Sequence, residues 1–336
     1  MKVKPDTVKK LLAIDDEKVI QIPNRILRKG TSESLQNKQL KNDSICIVCD
    51  FRFLENEMEW SKKVKAICHP FKKTDIFPKD IKLHLLSESD FCSSLITPTL
   101  NRMEYFDNKS YDFVCFILFS KQGVNCKGLH ILPMIDKAAR QLGLRGLIIN
   151  YATRETKKFE DKMHVQTLKK LKSLRSKWKN LTIIDKNFST KDVCSIMNSV
   201  KFVLFPNTAD ASPRILAEAI VRGKPVVVNS NIYGGWKYVS SETGRFFDAP
   251  SLSEYWHKRY NKNECVESLR NAMKDSMILD GSVCKEWFNE KYGFFNSSVR
   301  LAKIINDISG TSYKAVAFEE WRNPLKTIAR ERKWIK

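Results

Sequence analysis

Asp210-Ala-Ser-Pro-Arg-Ile-Leu-Ala-Glu218, running on through Ala-Ile-Val-Arg-Gly-Lys-Pro-Val-Val-Val228, decides how this chain reads. An acid precedes a helix start, a second acid follows eight residues on, and a helix stop leads into a buried strand. Ser212 suits the N-cap and Pro213 the first helical position. Gly223 suits the position just past the helix, with Pro225 beyond it to prevent continuation. The unpaired N–H groups of the first turn then belong to Arg214, Ile215 and Leu216. Together with the helix dipole they favour an anion there, such as a pyrophosphate. Asp210 lies just ahead of that start, and Glu218 sits on the second turn, within reach of whatever carries the anion.

The segments upstream repeat one pattern. Short apolar runs read as strands at Phe113–Phe119, Leu147–Tyr151, Leu181–Ile184, Phe202–Phe205 and Val226–Val228. Helical spacing of apolar residues separates them over Leu129–Leu142, Glu155–Trp178, Thr190–Ser199 and 213–222. Ser189 with Asp192 three residues on makes a capping box for the third of these, with Phe188 and Val193 as its hydrophobic staple. Strands that are apolar throughout and alternate with helices predict a parallel sheet covered on both faces. Right-handed crossovers make it a doubly wound, Rossmann-like domain. Ligands of such sheets sit beyond the carboxyl ends of the strands. The loops expected there are Ser120–Gly128, Ala152–Arg154, Asp185–Phe188, Pro206–Ser212 and Asn229–Gly235, so Asp210 falls where a ligand belongs.

The flanks are less regular. Residues 1–43 read as a polar arm, with a short helix at Val8–Ile14 and a loop at Gly30–Asp43. A strand at 44–50, a helix at Glu55–Lys65 and a strand at Ile81–Leu86 suggest a small first domain over 44–110. After Gly235 the pattern is helical at Ser253–Tyr260, Val266–Met277, Lys285–Tyr292 and Ser297–Ile308, closing a second domain over 111–310. A last helix, about Phe318–Ile335, falls in a tail spanning 311–336.

With 336 residues, 42% hydrophobic and 29% charged, the chain suits two globular domains. It has no apolar run of the ~18 residues that a membrane span needs, and its first residues lack the apolar core of a signal peptide. The nine cysteines are an odd number and mostly lie in apolar segments, which favours reduced, buried thiols and a cytoplasmic setting. Cys46 and Cys49 have CxxC spacing, but residues three apart on a strand face opposite sides. The net charge of +21 admits three readings: nucleic-acid binding, contact with an anionic membrane surface, or steering of an anionic substrate. No nucleic-acid signature accompanies the charge, so nucleic acid is not the expected partner. The five histidines show no ligand spacing and there is no Asp-x-Asp run, so no metal is expected.

The Asp210–Glu218 segment resembles the donor-site signature of GT-B glycosyltransferases of the retaining, family-4-like class, in which an acid, seven residues and a glutamate precede a Gly-Lys-Pro-Val-Val run. The first acid of that family is usually Glu, and the Gly-Phe-Gly that often follows it is here Ala211-Ser212-Pro213. Asp185–Pro206 resembles the family segment just before the signature. Lys127-Gly128 is similar to the family's Lys-Gly that holds the donor diphosphate. The Arg expected about five residues earlier falls on Gln122, with Lys121 adjacent to replace it.

The resemblance implies a GT-B-like α/β fold: two Rossmann-like domains, the first reduced, with a C-terminal helix crossing back to it and a cleft between them. It implies transfer of a sugar from a UDP- or GDP-sugar to a glycan or glycoconjugate, with retention and without an obligatory metal or other cofactor. Lys127, with Lys121, Arg214 and the helix start formed by Ser212, Pro213, Arg214, Ile215 and Leu216, would face the diphosphate. Asp210 would touch the sugar hydroxyls and Glu218 the ribose, making Asp210 and Lys127 the expected catalytic pair. Asp50 and Arg52 stand at a strand end on the acceptor side. Two plainer readings stand beside this: a binding protein that kept the fold and lost turnover, and a basic nucleic-acid-binding α/β protein. Arg214 paired with Asp210 or Glu218 as a surface salt bridge, and Glu218 as an exposed helical residue, are the corresponding local alternatives.

Overall fold

The computed structural model describes residues 44–47, 64–72, 74, 77, 79–92, 110–151, 162–208, 210, 213–310 and 312. Asp50, Arg52, Ser212, the arm over 1–43 and the expected terminal helix lie outside the described residues. The chain divides into two units. One comprises the described residues of Met1–Ile96, Ala211–Arg214 and Asn289–Lys336; the other, those of Thr97–Asp210 and Ile215–Phe288.

The second unit is built on a six-stranded sheet. Its strands are β4 (Phe113–Ile117), β5 (Gly146–Asn150), β6 (Leu181–Asp185), β7 (Phe202–Phe205), β8 (Val226–Asn229) and β9 (Gly244–Phe247). They lie in the order β6-β5-β4-β7-β8-β9, and every neighbouring pair is parallel. Phe113 of β4 sits opposite Phe202 of β7, and their rings stack at 5.3 Å. Phe113, Cys115 and Ile117 point into one core with Leu132, Ile135, Leu171 and Leu269, while Val114 and Phe116 on the opposite face are buried as well. Alternate residues of one strand buried on two faces is what an uninterrupted apolar run means for a covered parallel sheet. The order reverses direction between β4 and β7, and it is beyond the carboxyl ends at such a reversal that doubly wound sheets open a ligand crevice.

The helices of this unit are α1 (Lys121–Cys126), α2 (Leu132–Leu142), α3 (Lys162–Leu174), α4 (Thr190–Asn198), α5 (Arg214–Ile220, its first residue grouped with the other unit), α6 (Leu252–His257) and α7 (Lys262–Ser276). The capping box of α4 is present: Ser189 Oγ accepts from Asp192 N–H at 3.2 Å, and Asp192 accepts from Ser189 N–H at 2.9 Å. Ser189→Ala should therefore lower stability by about 1 kcal/mol, measured by chemical denaturation; an unchanged midpoint would mean that the box does not hold this turn. Gly223 ends α5 as expected, its N–H reaching Ile220 O at 2.8 Å while Lys224 N–H reaches Ala219 O at 3.0 Å. The pair forms the 5→2 and 6→1 closure of a Schellman stop.

Several expectations are corrected. The loop expected over Ser120–Gly128 contains α1, with Ser120 as its cap, accepting from Gly123 N–H at 3.1 Å. The expected helix from Leu129 begins as a short 3-10 turn, Leu129–Ile131, before α2. Helix α5 starts at Arg214, so Pro213 precedes it rather than opening it, a shift within the usual latitude of helix ends. The sheet has a sixth strand, β9, which alternates Phe246 (42% exposed) with buried Phe247 and so lacks the continuous apolar run that marks β4, β5, β7 and β8. Helices α6 and α7 begin earlier than their apolar periodicity indicated because polar caps set their starts. Ser251 and Glu254 box the start of α6, and the Asn261 side chain accepts from the N–H groups of Asn263 and Glu264 at the start of α7.

The described part of the first unit is a three-stranded parallel sheet of β1 (Ser44–Ile47), β2 (Val64–His69) and β3 (Lys82–Leu85). Strand β2 corrects the end of the helix expected over Glu55–Lys65, since Val64 and Lys65 are extended. Helix α8 (Gly281–Lys291) leads from the second unit into α9 (Gly293–Ser309), which packs on the 3-10 turn Glu88–Phe91. There Ser297 Oγ donates to Asp90 O at 2.8 Å, and Arg300 lies 3.5 Å from the buried Asp90 carboxylate. The chain thus rejoins the first unit from Asn289, ahead of the boundary expected at 310. Cys68, Cys92, Cys115, Cys126, Cys194, Cys265 and Cys284 are free thiols, all buried except the half-buried Cys126 and Cys265. Among the described residues no helix is long and apolar enough to cross a membrane.

Candidate functional site

At the reversal of strand order, three segments of the second unit are tied together by their backbones. Strand β4 delivers the chain into α1, which ends at Lys127, whose N–H reaches Gly123 O at 3.1 Å. Gly128 then turns the chain at φ +65°, pressed against the segment after β7; a Cβ there would lie 2.0 Å from Pro206 O. That segment is stitched to α1 by Thr208 N–H donating to Cys126 O at 3.1 Å. The Asn229 side chain donates to Pro206 O at 3.2 Å. From the loop after β8, Tyr233 N–H reaches Thr208 O at 3.2 Å and Gly234 N–H reaches Asp210 O at 2.8 Å. Asp210 is fixed between the loops of β4 and β8 before its side chain does anything.

The side chains meet at the same point. Lys127 Nζ forms an ion pair with Asp210 Oδ2, the two side chains 19% and 16% exposed. Asn207 Nδ2 donates to the same Oδ2 at 2.9 Å. Burial pushes the Lys127 ammonium towards its neutral form, but the Asp210 carboxylate, with Tyr151 adding to it, carries its pKa above the ordinary lysine value. The ammonium therefore stays charged at neutral pH in a place shielded from water. Burial raises the Tyr151 pKa, opposed by Lys127 and assisted by Asp210, so this phenol is a neutral hydroxyl beside the pair. A shielded cation next to a carboxylate, with amide and phenol groups around it, can take a phosphate and hydroxyls of one ligand at once.

The other expected donor-side residues divide. Pro213 and Leu216 are buried, and Arg214 and Ile215 are half-buried. Asp210 takes Lys127 as its ionic partner. Glu218 on α5 is only 8% exposed, which removes the reading of it as an exposed helical residue. Its charge reaches Cys194 of α4, whose thiol pKa is raised by burial, lowered by Arg222 and raised by Glu218. Lys121 opens α1 at the carboxyl end of β4, and its side chain lies outside the described part of the structure.

Sequence reasoning missed three residues here: Asn150, Tyr151 and Asn207. Asn150 bridges strand ends, its Oδ1 accepting from Phe119 N–H at 2.9 Å and its Nδ2 donating to Asp185 Oδ1 at 2.5 Å. Asp185 pairs with Arg175 at 2.5 Å, and that guanidinium lies 5.3 Å over the Phe119 ring. Burial raises the Asp185 pKa, but the bonds from Arg175 and Asn150 win and hold it below the usual value. The signal available for Asn150 and Asn207 was a polar amide ending an apolar strand or lying two residues past one. That signal marks a strand end without saying what the amide touches.

No protein-family model and no curated protein sequence matches the chain. Solved structures do match. The pneumococcal O-GlcNAc transferase GtfA, in complex with UDP and GlcNAc, aligns at a TM-score of 0.52 and 12% identity over 82% of this chain and 54% of that one. The α,α-trehalose-phosphate synthase from Burkholderia xenovorans in complex with glucose-6-phosphate aligns at 0.56 and 9% identity over 92% of this chain and 76% of that one. Trehalose-6-phosphate synthase OtsA aligns at 0.56 and 10% identity over 93% and 76%. The fold is GT-B. The six-stranded unit supplies the Rossmann-like sheet of a GT-B chain, and Lys127 and Asp210 stand at its strand-order reversal. The chain spans about half the length of GtfA and of TarM, a further GT-B match.

Proposed function

We propose that this protein is a glycosyltransferase that moves a sugar from a nucleoside-diphosphate donor to a glycan or glycoconjugate acceptor. The observation that carries the reading is the Lys127–Asp210 ion pair at the strand-order reversal of a GT-B sheet. In this reading the ion pair keeps the Lys127 ammonium charged and in place before the donor arrives. The diphosphate then shares it, and negative charge built up as the sugar–phosphate bond breaks is met by a preformed cation. Asp210 accepts from a sugar hydroxyl, and the buried Glu218 takes the ribose hydroxyls. Lys121, Arg214 and the residues around the start of α5 flank the phosphates.

The same reading gives retention. The acceptor oxygen bonds to the anomeric carbon on the face the diphosphate leaves, and its proton passes to the leaving phosphate oxygen. Charge at the phosphates is carried by Lys127 and its neighbours, so no divalent metal is obligatory. The net charge of +21 supports peripheral contact with an anionic surface on which an acceptor is presented, and the free thiols support a cytoplasmic setting.

Titration with UDP and with GDP in the presence of EDTA tests this. One of the two should raise the melting temperature, by the equivalent of about 2.7 kcal/mol at a hundredfold excess over Kd. No shift with either nucleotide at millimolar concentration would count against a donor site, and a shift that EDTA removes would overturn metal independence.

A further inference from the structure

The Asp210 carboxylate is held by one oxygen only. Lys127 Nζ and Asn207 Nδ2 both end on Oδ2, and among the described residues nothing ends on Oδ1. Asn207 is 4% exposed, and its own Oδ1 is buried with no hydrogen-bond partner among the described residues. Burying an amide carbonyl without a partner costs stability, and a leucine of similar size would fill the place without that cost. The amide cannot escape by turning over. A flip would set its oxygen against Asp210 Oδ2 and move the N–H groups to where no described acceptor stands. A side chain kept for packing alone has no reason to carry this penalty; one kept for its N–H does.

We propose that Asn207 is a positioning residue for the donor sugar. With Lys127 it occupies Oδ2 of Asp210, leaving Oδ1 as the carboxylate oxygen that accepts a hydroxyl of the transferred sugar. This rests on the glycosyltransferase reading above and deepens it. Lys127 then faces the phosphates while Asp210, locked by Asn207, faces the sugar ring. Without the amide, the carboxylate can rotate about its Cβ–Cγ bond and offer either oxygen to Lys127, so the acceptor for the hydroxyl is no longer fixed. Pro206 restricts the backbone just before Asn207, and the backbones of Thr208 and Asp210 are both hydrogen-bonded.

The test uses the full chain with two substitutions, Asn207→Leu and Asn207→Asp, with UDP-glucose and GDP-mannose as probes and release of the free nucleoside diphosphate as the signal. Asn207→Leu should melt at the wild-type temperature or above it and keep the wild-type thermal shift with UDP or GDP. Its kcat for sugar release should fall about tenfold or more, the loss of one hydrogen bond to a charged group, with KM changed much less. Asn207→Asp keeps the shape and loses the N–H at neutral pH, so it should lose kcat as well. A packing role predicts the opposite on both counts: Asn207→Asp active, and Asn207→Leu changed in melting temperature but not in kcat. In an Asp210→Asn background Asn207→Leu should have little further effect, because the carboxylate it orients is gone. A wild-type thermal shift with full sugar release by Asn207→Leu would overturn the proposal alone. No thermal shift and no release in the wild type would overturn the glycosyltransferase reading and this proposal with it.

Discussion

Lys127→Met will lower kcat/KM for donor consumption by about 10²- to 10³-fold, the usual loss when one preorganised charge facing a transition state is removed. Methionine keeps most of the side-chain volume, so the loss reports the ammonium rather than a cavity. The effect is large because the site is shielded: Lys127 is only 19% exposed, and its partner Asp210 only 16%. A shielded cation loses little of its field to water, and the carboxylate beside it is left without its compensating charge when the cation goes. Nucleotide affinity should fall together with turnover, since the ammonium would meet the diphosphate in both the ground and transition states. Lys127→Met with unchanged nucleotide affinity would remove this residue from the phosphate contact, whatever happened to turnover. Steady-state kinetics and isothermal titration of the same variant separate the two results.

Gly128→Ala should cost about 2–5 kcal/mol of stability, the sum of left-handed backbone strain and an overpacked contact. The contact is the larger concern, because a Cβ would lie 2.0 Å from Pro206 O, a backbone atom that cannot swing aside. Gly143 is the internal control. It has nearly the same φ, +66°, and nothing within 4 Å of where its Cβ would stand. Gly143→Ala should therefore cost only the backbone term, about 1–2 kcal/mol. The difference between the two variants, read by denaturant titration, isolates the close approach of Gly128 to the loop after β7. That approach lies between the segment that carries Lys127 and the loop after β7, so Gly128→Ala should weaken nucleotide binding while Gly143→Ala leaves it alone. Equal losses of stability in the two would show that the loop after β7 yields easily and that the site is not rigidly set there.

The elements legible from sequence were those whose signal is local and strong. Strands β4, β5, β7 and β8 are apolar runs because the sheet is covered on both faces there, the edge strand β6 keeps only Leu181, Ile183 and Ile184 of such a run, and the capping box of Ser189 and Asp192 marks α4 before any tertiary contact exists. Strand β9 was hidden by its one-sided burial, β2 by a lysine that breaks its apolar run, and α1 by a Gly at its centre. In the site, Asp210 was legible as a polar residue beyond a strand end in a parallel sheet. Its pairing with Lys127 was not, since the two lie 83 residues apart and only the strand order brings them together. Family resemblance supplied Lys127, while Asn207 and Tyr151 had no sequence signal that distinguished them from ordinary loop and strand-end residues. Asn207 becomes informative only once its amide is seen on the Asp210 carboxylate.

If the paired Lys127 and Asp210 receive an activated sugar through its diphosphate, donor consumption must depend on both partners. Release of free nucleoside diphosphate from a panel of UDP- and GDP-sugars, by the wild-type chain and by Asp210→Ala side by side, puts that dependence to the test. At least one donor should be consumed by the wild type, and Asp210→Ala should abolish its consumption. A panel left untouched by the wild type, or consumed equally well by Asp210→Ala, would contradict the assignment of this pair as the donor site.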